Sequence, residues 1–179
     1  MIGTRCPVLG FAAWSGTGKT TLLVQLLPRL RGRGLRVGMV KHAHHSFDVD
    51  QPGKDSYELR KAGASPMLVA SSRRWALMAD LDQEREPVLQ EMLDRLDPSG
   101  LDVILVEGFK HEAFPKIELH RPAIGKPLLF PDDASVIAVA TDAPLAQPTQ
   151  LPVLDLNDVE AMADFVLRFC GRPADRPRS

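Results

Sequence analysis

Cysteine is nearly absent from this chain. Cys6 and Cys170 are the only two in 179 residues. They lie near opposite ends without metal-ligand spacing, which argues against a thiolate metal site and reads as two small buried hydrophobes in a reducing cytoplasm. An excess of one charge is missing too: 22 Lys+Arg against 23 Asp+Glu leave a formal net charge of -1. Such a balance gives no general attraction for nucleic acid or an anionic membrane, so any anion site must be local. The apolar stretch Val8 to Trp14 is too short to span a bilayer and runs into GTGKTT rather than a small-residue cleavage site, against both a membrane span and a signal peptide. No internal repeat is found.

What remains is an ordinary globular composition, 44% hydrophobic and 25% charged. The length suits a single domain over residues 1–170. The tail 171–179, rich in proline and arginine and without an apolar face, is expected to be disordered.

Hydrophobic period orders the chain. Pro7–Ala13 reads as a buried strand. Lys19 onward carries Leu22, Leu23, Leu26, Leu27 and Leu30 at helical spacing, with Pro28 expected to kink or end the helix near Val24–Leu27. Leu35–Lys41 is a second strand, completing a βαβ unit and hence a parallel sheet. A polar loop, HAHHSFDVDQPGK, precedes a short helix in which Asp55 and Glu58 form a relaxed capping box and Gly63 the stop. Pro66–Ser71 and Trp75–Asp80 read as a hairpin, and Glu84–Leu96 as a helix. Asp102–Val106 and Ser135–Thr141 are apolar enough for central strands, whereas Lys116–His120 alternates like a half-exposed edge strand. Leu151–Leu156 and Asp158–Phe169 close the chain as a strand and a helix. The expected class is α/β: a three-layer P-loop NTPase-type fold, mostly parallel, with helices on both faces and an added hairpin.

The chemistry begins at AWSGTGKTT. The phosphate-loop pattern is Gly, four residues, then Gly-Lys-Ser/Thr; here Ala13 replaces the first Gly, while Gly18, Lys19 and Thr20 match. A strand before and a helix behind are the context such a loop needs. Ser15, Gly16, Thr17, Gly18, Lys19, Thr20 and Thr21 would cradle phosphate with backbone amides at a helix N-terminus. Lys19 would reach the outer phosphates and the Thr20 hydroxyl would ligate Mg²⁺. Open α/β sheets bind ligands beyond the carboxyl ends of their strands. Glu107, ending a buried strand, is therefore the candidate to hold the same Mg²⁺, whereas Asp102 starts that strand at the wrong end. Asp50 is a candidate to orient attacking water or the metal shell. Asp142, ending another strand, would accept from the N1 and amino donors of guanine.

Lys41, His44, Lys54, Arg60, Lys61 and Lys110 form a candidate second anion site. His42, His44, His45, Asp48 and Asp50 have donors that suit zinc or nickel. They leave open a nucleotide-gated metallochaperone beside a nucleotide-binding protein. A small-molecule kinase with Arg73 and Arg74 in its lid is also compatible, as is a purely structural binding module.

With these residues assembled, the chain resembles the molybdopterin-guanine dinucleotide biosynthesis protein B family. The resemblance rests on FAAWSGTGKTTLL, on VKHAHHSFDVDQPGKDSYELRKAGA and on ILVEGFKHE. It implies a cytoplasmic GTP-binding homodimer with weak Mg²⁺-dependent GTPase activity that helps a partner nucleotidyltransferase join GMP to molybdopterin. On that reading Lys19 and Thr20 hold the GTP phosphates and Mg²⁺, Glu107 matches the second acidic motif, and the Lys54 to Arg60 block borders the pterin phosphate. The family tolerates Ala at the Ala13 position. No Asn-Lys-x-Asp signature is present, so guanine preference rests on the resemblance.

Overall fold

Among the described residues, eight strands and four α-helices form in the order β1 (Val8–Ala13), α1 (Lys19–Gly32), β2 (Val37–Lys41), α2 (Asp55–Lys61), β3 (Met67–Ala70), β4 (Trp75–Met78), α3 (Leu89–Leu93), β5 (Val103–Glu107), β6 (Lys116–His120), β7 (Val136–Thr141), β8 (Val153–Asp155) and α4 (Val159–Phe169). They are seen in a computed structural model that describes residues 2–43, 47–81 and 83–174. The chain divides into two compact units, residues 1–42 with 87–179, and Ala43–Glu86.

In the first unit six strands pair in the order β2-β5-β1-β6-β7-β8, and every pairing is parallel. The period of two in each strand sorts its side chains onto two cores. Leu9 and Phe11 of β1, Val103 and Leu105 of β5, and Ile117 and Leu119 of β6 meet Leu22, Leu23, Leu26 and Leu30 of α1 and Met162, Ala163 and Val166 of α4. Val8, Val40, Ile104 and Val106 meet Leu89 and Leu93 of α3, with Phe109 and Phe114, on the other face. Helices on both faces of a parallel sheet are the arrangement expected from the sequence.

Several boundaries differ, each for a physical reason. α1 runs through Pro28 to Gly32 instead of ending near Leu27. An internal proline costs about 3 kcal/mol, but Leu26 and Leu30 on either side are fully buried. Their burial, at about 1.5–3 kcal/mol each, outweighs the lost bond. The expected helix from Glu84 is confined to Leu89–Leu93, because Pro87 interrupts the run and the first helical amide, Leu89 N–H, instead donates to Glu112 at 2.8 Å. β6 is a central strand, not a half-exposed edge: all five residues are buried between β1 and β7. Its alternation is genuine, with Ile117 and Leu119 on the α1 face. The opposite face is polar yet covered. There Lys116 Nζ donates to the Lys110 and Glu112 carbonyls and to Asp133 at 2.7–2.9 Å, and Glu118 accepts from the Leu129 and Phe130 amides at 2.8 and 2.9 Å.

In the second unit β3 and β4 form the expected antiparallel hairpin, closed by Ser71 N–H donating to the Arg74 carbonyl at 2.8 Å. The capping box at Asp55 is not formed; Lys54 occupies the N-cap, and Asp55 and Glu58 stand in the first turn, where the helix dipole favours acids. Gly63 takes the left-handed stop at φ +110°. Asp158 caps α4 by accepting from Ala161 N–H at 2.9 Å. Cys6 is buried and Cys170 partly so, both as free thiols, and burial pushes Cys170 up to about 11. Among the described residues no helix is long and apolar enough to cross a membrane. Residues 175–179 of the expected tail lie outside the described residues.

Gly10 sits where the stem of Lys116 crosses β1, and a Cβ there would stand 2.6 Å from Lys116 Cγ and from Phe114 Cε2. Gly10→Ala is expected to lower the free energy of unfolding by about 1–3 kcal/mol through overpacking, measured as a lower urea midpoint at unchanged slope.

Candidate functional site

Between β1 and α1 the chain turns through Trp14 to Gly18. Gly16 and Gly18 hold φ of +84° and +92°, which side chains with a Cβ rarely adopt. The turn is closed from inside by Thr17, 2% exposed, whose hydroxyl donates to the Trp14 carbonyl at 2.8 Å. Among the described residues no side chain caps α1 at Gly18, and its first turn contains no acid. The unpaired amides and the positive end of a 14-residue helix are thus presented at this loop, the arrangement that attracts an anion.

Strand parity delivers the carboxylate. Glu107 shares its face with Val103 and Leu105, which pack under α1, and the β1–β5 register sets it opposite Phe11. It therefore emerges beside the start of α1, where the Thr20 hydroxyl donates to Glu107 Oε1 at 3.3 Å. Lys41, paired with Glu107 in the register of β2, reaches Oε2 at 3.6 Å. Lys19 lies in the same field: burial lowers its pKa from the ordinary lysine value, the Glu107 charge opposes that shift, and Lys41 and Lys110 reinforce it. Gly108 keeps φ +95° with no room for a side chain, since a Cβ would stand 2.7 Å from His42 Cβ. His42 N–H in turn donates to the Glu107 carbonyl at 2.8 Å. The hydroxyl and carboxylate oxygens together are the hard donors that Mg²⁺ takes.

Other candidates fall elsewhere. Asp102 begins β5 at the far end, bonded by Arg36 and Arg172, and Arg36 holds its carboxyl at about 2. Asp142 follows β7 on the edge of the sheet where the phosphate loop lies, and Arg121 pairs with it. Sequence reasoning missed Arg121 because β6 was expected at an edge; the available signal was its place directly after a strand, the same position that marked Glu107. Trp14 was missed as well. Its indole N–H donates to the Pro127 carbonyl at 2.8 Å, and Lys110 Nζ stands 4.5 Å from its ring centre.

Of the expected second anion site, Lys41 and Lys110 belong to the first unit and Lys54, Arg60 and Lys61 to the second. Lys54 and Lys61 are exposed. Arg60 is held by Asp48 at 2.6 Å and by Asp50 at 2.8 Å. The Arg60 bond lowers the pKa of Asp50, so this carboxylate stays ionised as an anchor for the guanidinium. His44 and His45 lie outside the described residues, and His42 packs on Phe109 with ring centres 4.9 Å apart. Among the described residues no group of three or more His, Cys, Asp or Glu side chains is gathered for a metal ion.

Comparison with known proteins adds an independent line. The family described as molybdopterin guanine dinucleotide synthesis protein B matches residues 8–142. The molybdopterin-guanine dinucleotide biosynthesis adapter protein of Escherichia coli is 57% identical over 93% of this chain and 94% of its own length. Its Haemophilus influenzae counterpart is 43% identical over 92% of this chain and 90% of its own. A crystal structure of a MobB protein homolog from Bacillus stearothermophilus, 25% identical, superposes with a TM-score of 0.67 over 92% of this chain and 97% of that one.

A lysine whose folded-state pKa is lowered destabilises the fold while it is charged, and this penalty fades as pH rises from the lowered value toward 10.5. An anion beside Lys19 draws that pKa back up. Lys19→Met is therefore expected to leave the ligand-free melting temperature equal or higher at pH 7 while weakening inorganic tripolyphosphate at least about tenfold. In the parent chain tripolyphosphate affinity falls as pH rises through the lowered pKa, a slope that calorimetry between pH 7 and 10 would find missing in the variant.

Proposed function

Because the chain belongs to the molybdopterin guanine dinucleotide synthesis protein B family, we propose that it is a GTP-binding adapter with weak, Mg²⁺-dependent GTPase activity. It assists a partner nucleotidyltransferase in converting molybdopterin to its guanine dinucleotide. The observation that carries this reading is the Thr20–Glu107 contact beside Lys19, which joins the phosphate loop to a carboxylate 87 residues away. In this assignment the amides from Ser15 to Thr21 and the Lys19 ammonium hold the phosphates, and Thr20 and Glu107 hold Mg²⁺. Lys41 balances the Glu107 charge, and Asp142 accepts from guanine. Lys54 and Lys61 are assigned to the pterin phosphate, with Arg60 and Asp50 bracing their helix.

The adapter is further proposed to act as a homodimer. The hairpin of the second unit supports this, because Leu68, Trp75 and Leu77 on one of its faces are 60%, 69% and 57% exposed. An isolated two-stranded hairpin with an uncovered apolar face is marginal in water, and a second copy would cover it.

Isothermal titration with Mg²⁺ is expected to favour GTP over ATP by at least roughly tenfold, since a carboxylate that accepts from guanine meets a lone pair on adenine. Equal affinities would overturn the assignment. Asp142→Asn is expected to exchange GTP preference for xanthosine triphosphate, whose 2-carbonyl accepts from the introduced amide. Replacing both Trp75 and Leu77 by Ser is expected to yield monomers by light scattering, with nucleotide affinity retained.

A further inference from the structure

Arg121 is the first residue beyond β6. The register pairs Leu119 with Ala13 at the root of the phosphate loop and His120 with Thr141 just before Asp142. Arg121 continues the parity of Ile117 and Leu119, so its side chain leaves the sheet on the α1 face. Its fork is used at two places. Nε donates to the Thr17 carbonyl at 2.9 Å, and Nη1 donates to the Asp142 carboxylate. Nη2 stands 3.8 Å from where a Cβ on Gly18 would be. The two paired side chains are half-buried, at 32% and 24% exposure. A planar guanidinium holds two acceptors at a fixed separation, which the single ammonium of lysine does not.

Guanine presents one acceptor, O6, followed by two donors, N1–H and the 2-amino group. A carboxylate reads the donors only when it is ionised and held at one distance from the phosphate cradle, because base and phosphate are joined through a single ribose. Resting on the GTP-binding reading above, we infer that Arg121 is a positioning residue for base selection. It tethers Asp142 to the Thr17 carbonyl of the phosphate loop, so that the base-reading carboxylate and the phosphate cradle form one rigid gauge. Asp142 keeps one oxygen for the base while the other holds the guanidinium.

The test is calorimetric titration of the full chain and of Arg121→Ala and Arg121→Lys with GTP, ATP and inorganic tripolyphosphate, all with Mg²⁺. Both variants are expected to lose roughly tenfold in GTP affinity while tripolyphosphate changes by less than about twofold, so the GTP-to-ATP ratio falls toward one. Failure of lysine to restore the ratio identifies the two-pronged geometry, not the charge, as the cause. An equal loss for all three ligands, or an unchanged ratio in either folded variant, overturns the inference. If Arg121→Ala does not fold, Arg121→Lys carries the same comparison. A parent chain that binds GTP and ATP equally overturns the underlying reading instead, which separates the two failures.

Discussion

The meeting of the Thr20 hydroxyl with the Glu107 carboxylate depends on one constraint, the parallel register of β1 against β5. Side chains alternate along a strand, so a slip of one residue in β5 would send Glu107 to the α3 face and replace it beneath α1 with a valine or a glycine. The register is held by burial. Val103 and Leu105 must face α1 while Ile104 and Val106 face α3, and all four are buried. The acid is thus aimed by four apolar neighbours that have no chemistry of their own.

The same logic extends across the sheet edge. Lys41 ends β2 in register with Glu107, and Arg121 follows β6 next to the loop. Three strands therefore bring two cations and an anion to the turn made by Gly16 and Gly18. Lys19 is partly buried there, and that burial disfavours its own charge, a cost that an arriving polyphosphate would relieve. The attraction for polyanions proposed for this turn is therefore local, assigned to Lys19 and the start of α1, on a chain whose formal net charge is -1.

The polar face of β6 supplies the rigidity beneath this edge. Lys116 and Glu118 are almost completely buried, yet each has a full set of partners from the segment 110–133. Among the described residues no buried side-chain nitrogen or oxygen lacks a hydrogen-bond partner. Buried ions are costly to leave unpaired, so the covering segment is held closely in place. Its Pro127 carbonyl receives the Trp14 indole, which ties it to the loop that follows β1.

The α/β class, the glycine turn, the hairpin and the placing of Glu107 and Lys19 beside that turn were legible in the sequence because each depends on local period or on residue types at fixed spacing. Composition also determined that any anion site had to be local. Tertiary structure alone decided that α1 survives Pro28, since the buried leucines that outweigh the proline are paid back only against the sheet. It alone placed β6 at the centre, because KIELH reads the same whether its polar face meets water or a covering segment. Arg121 became visible only then: a residue that pairs with Thr17 and Asp142, 104 and 21 positions away, leaves no local pattern. Sequence reports what each segment prefers; which distant groups satisfy a buried charge is settled when strands fix their neighbours.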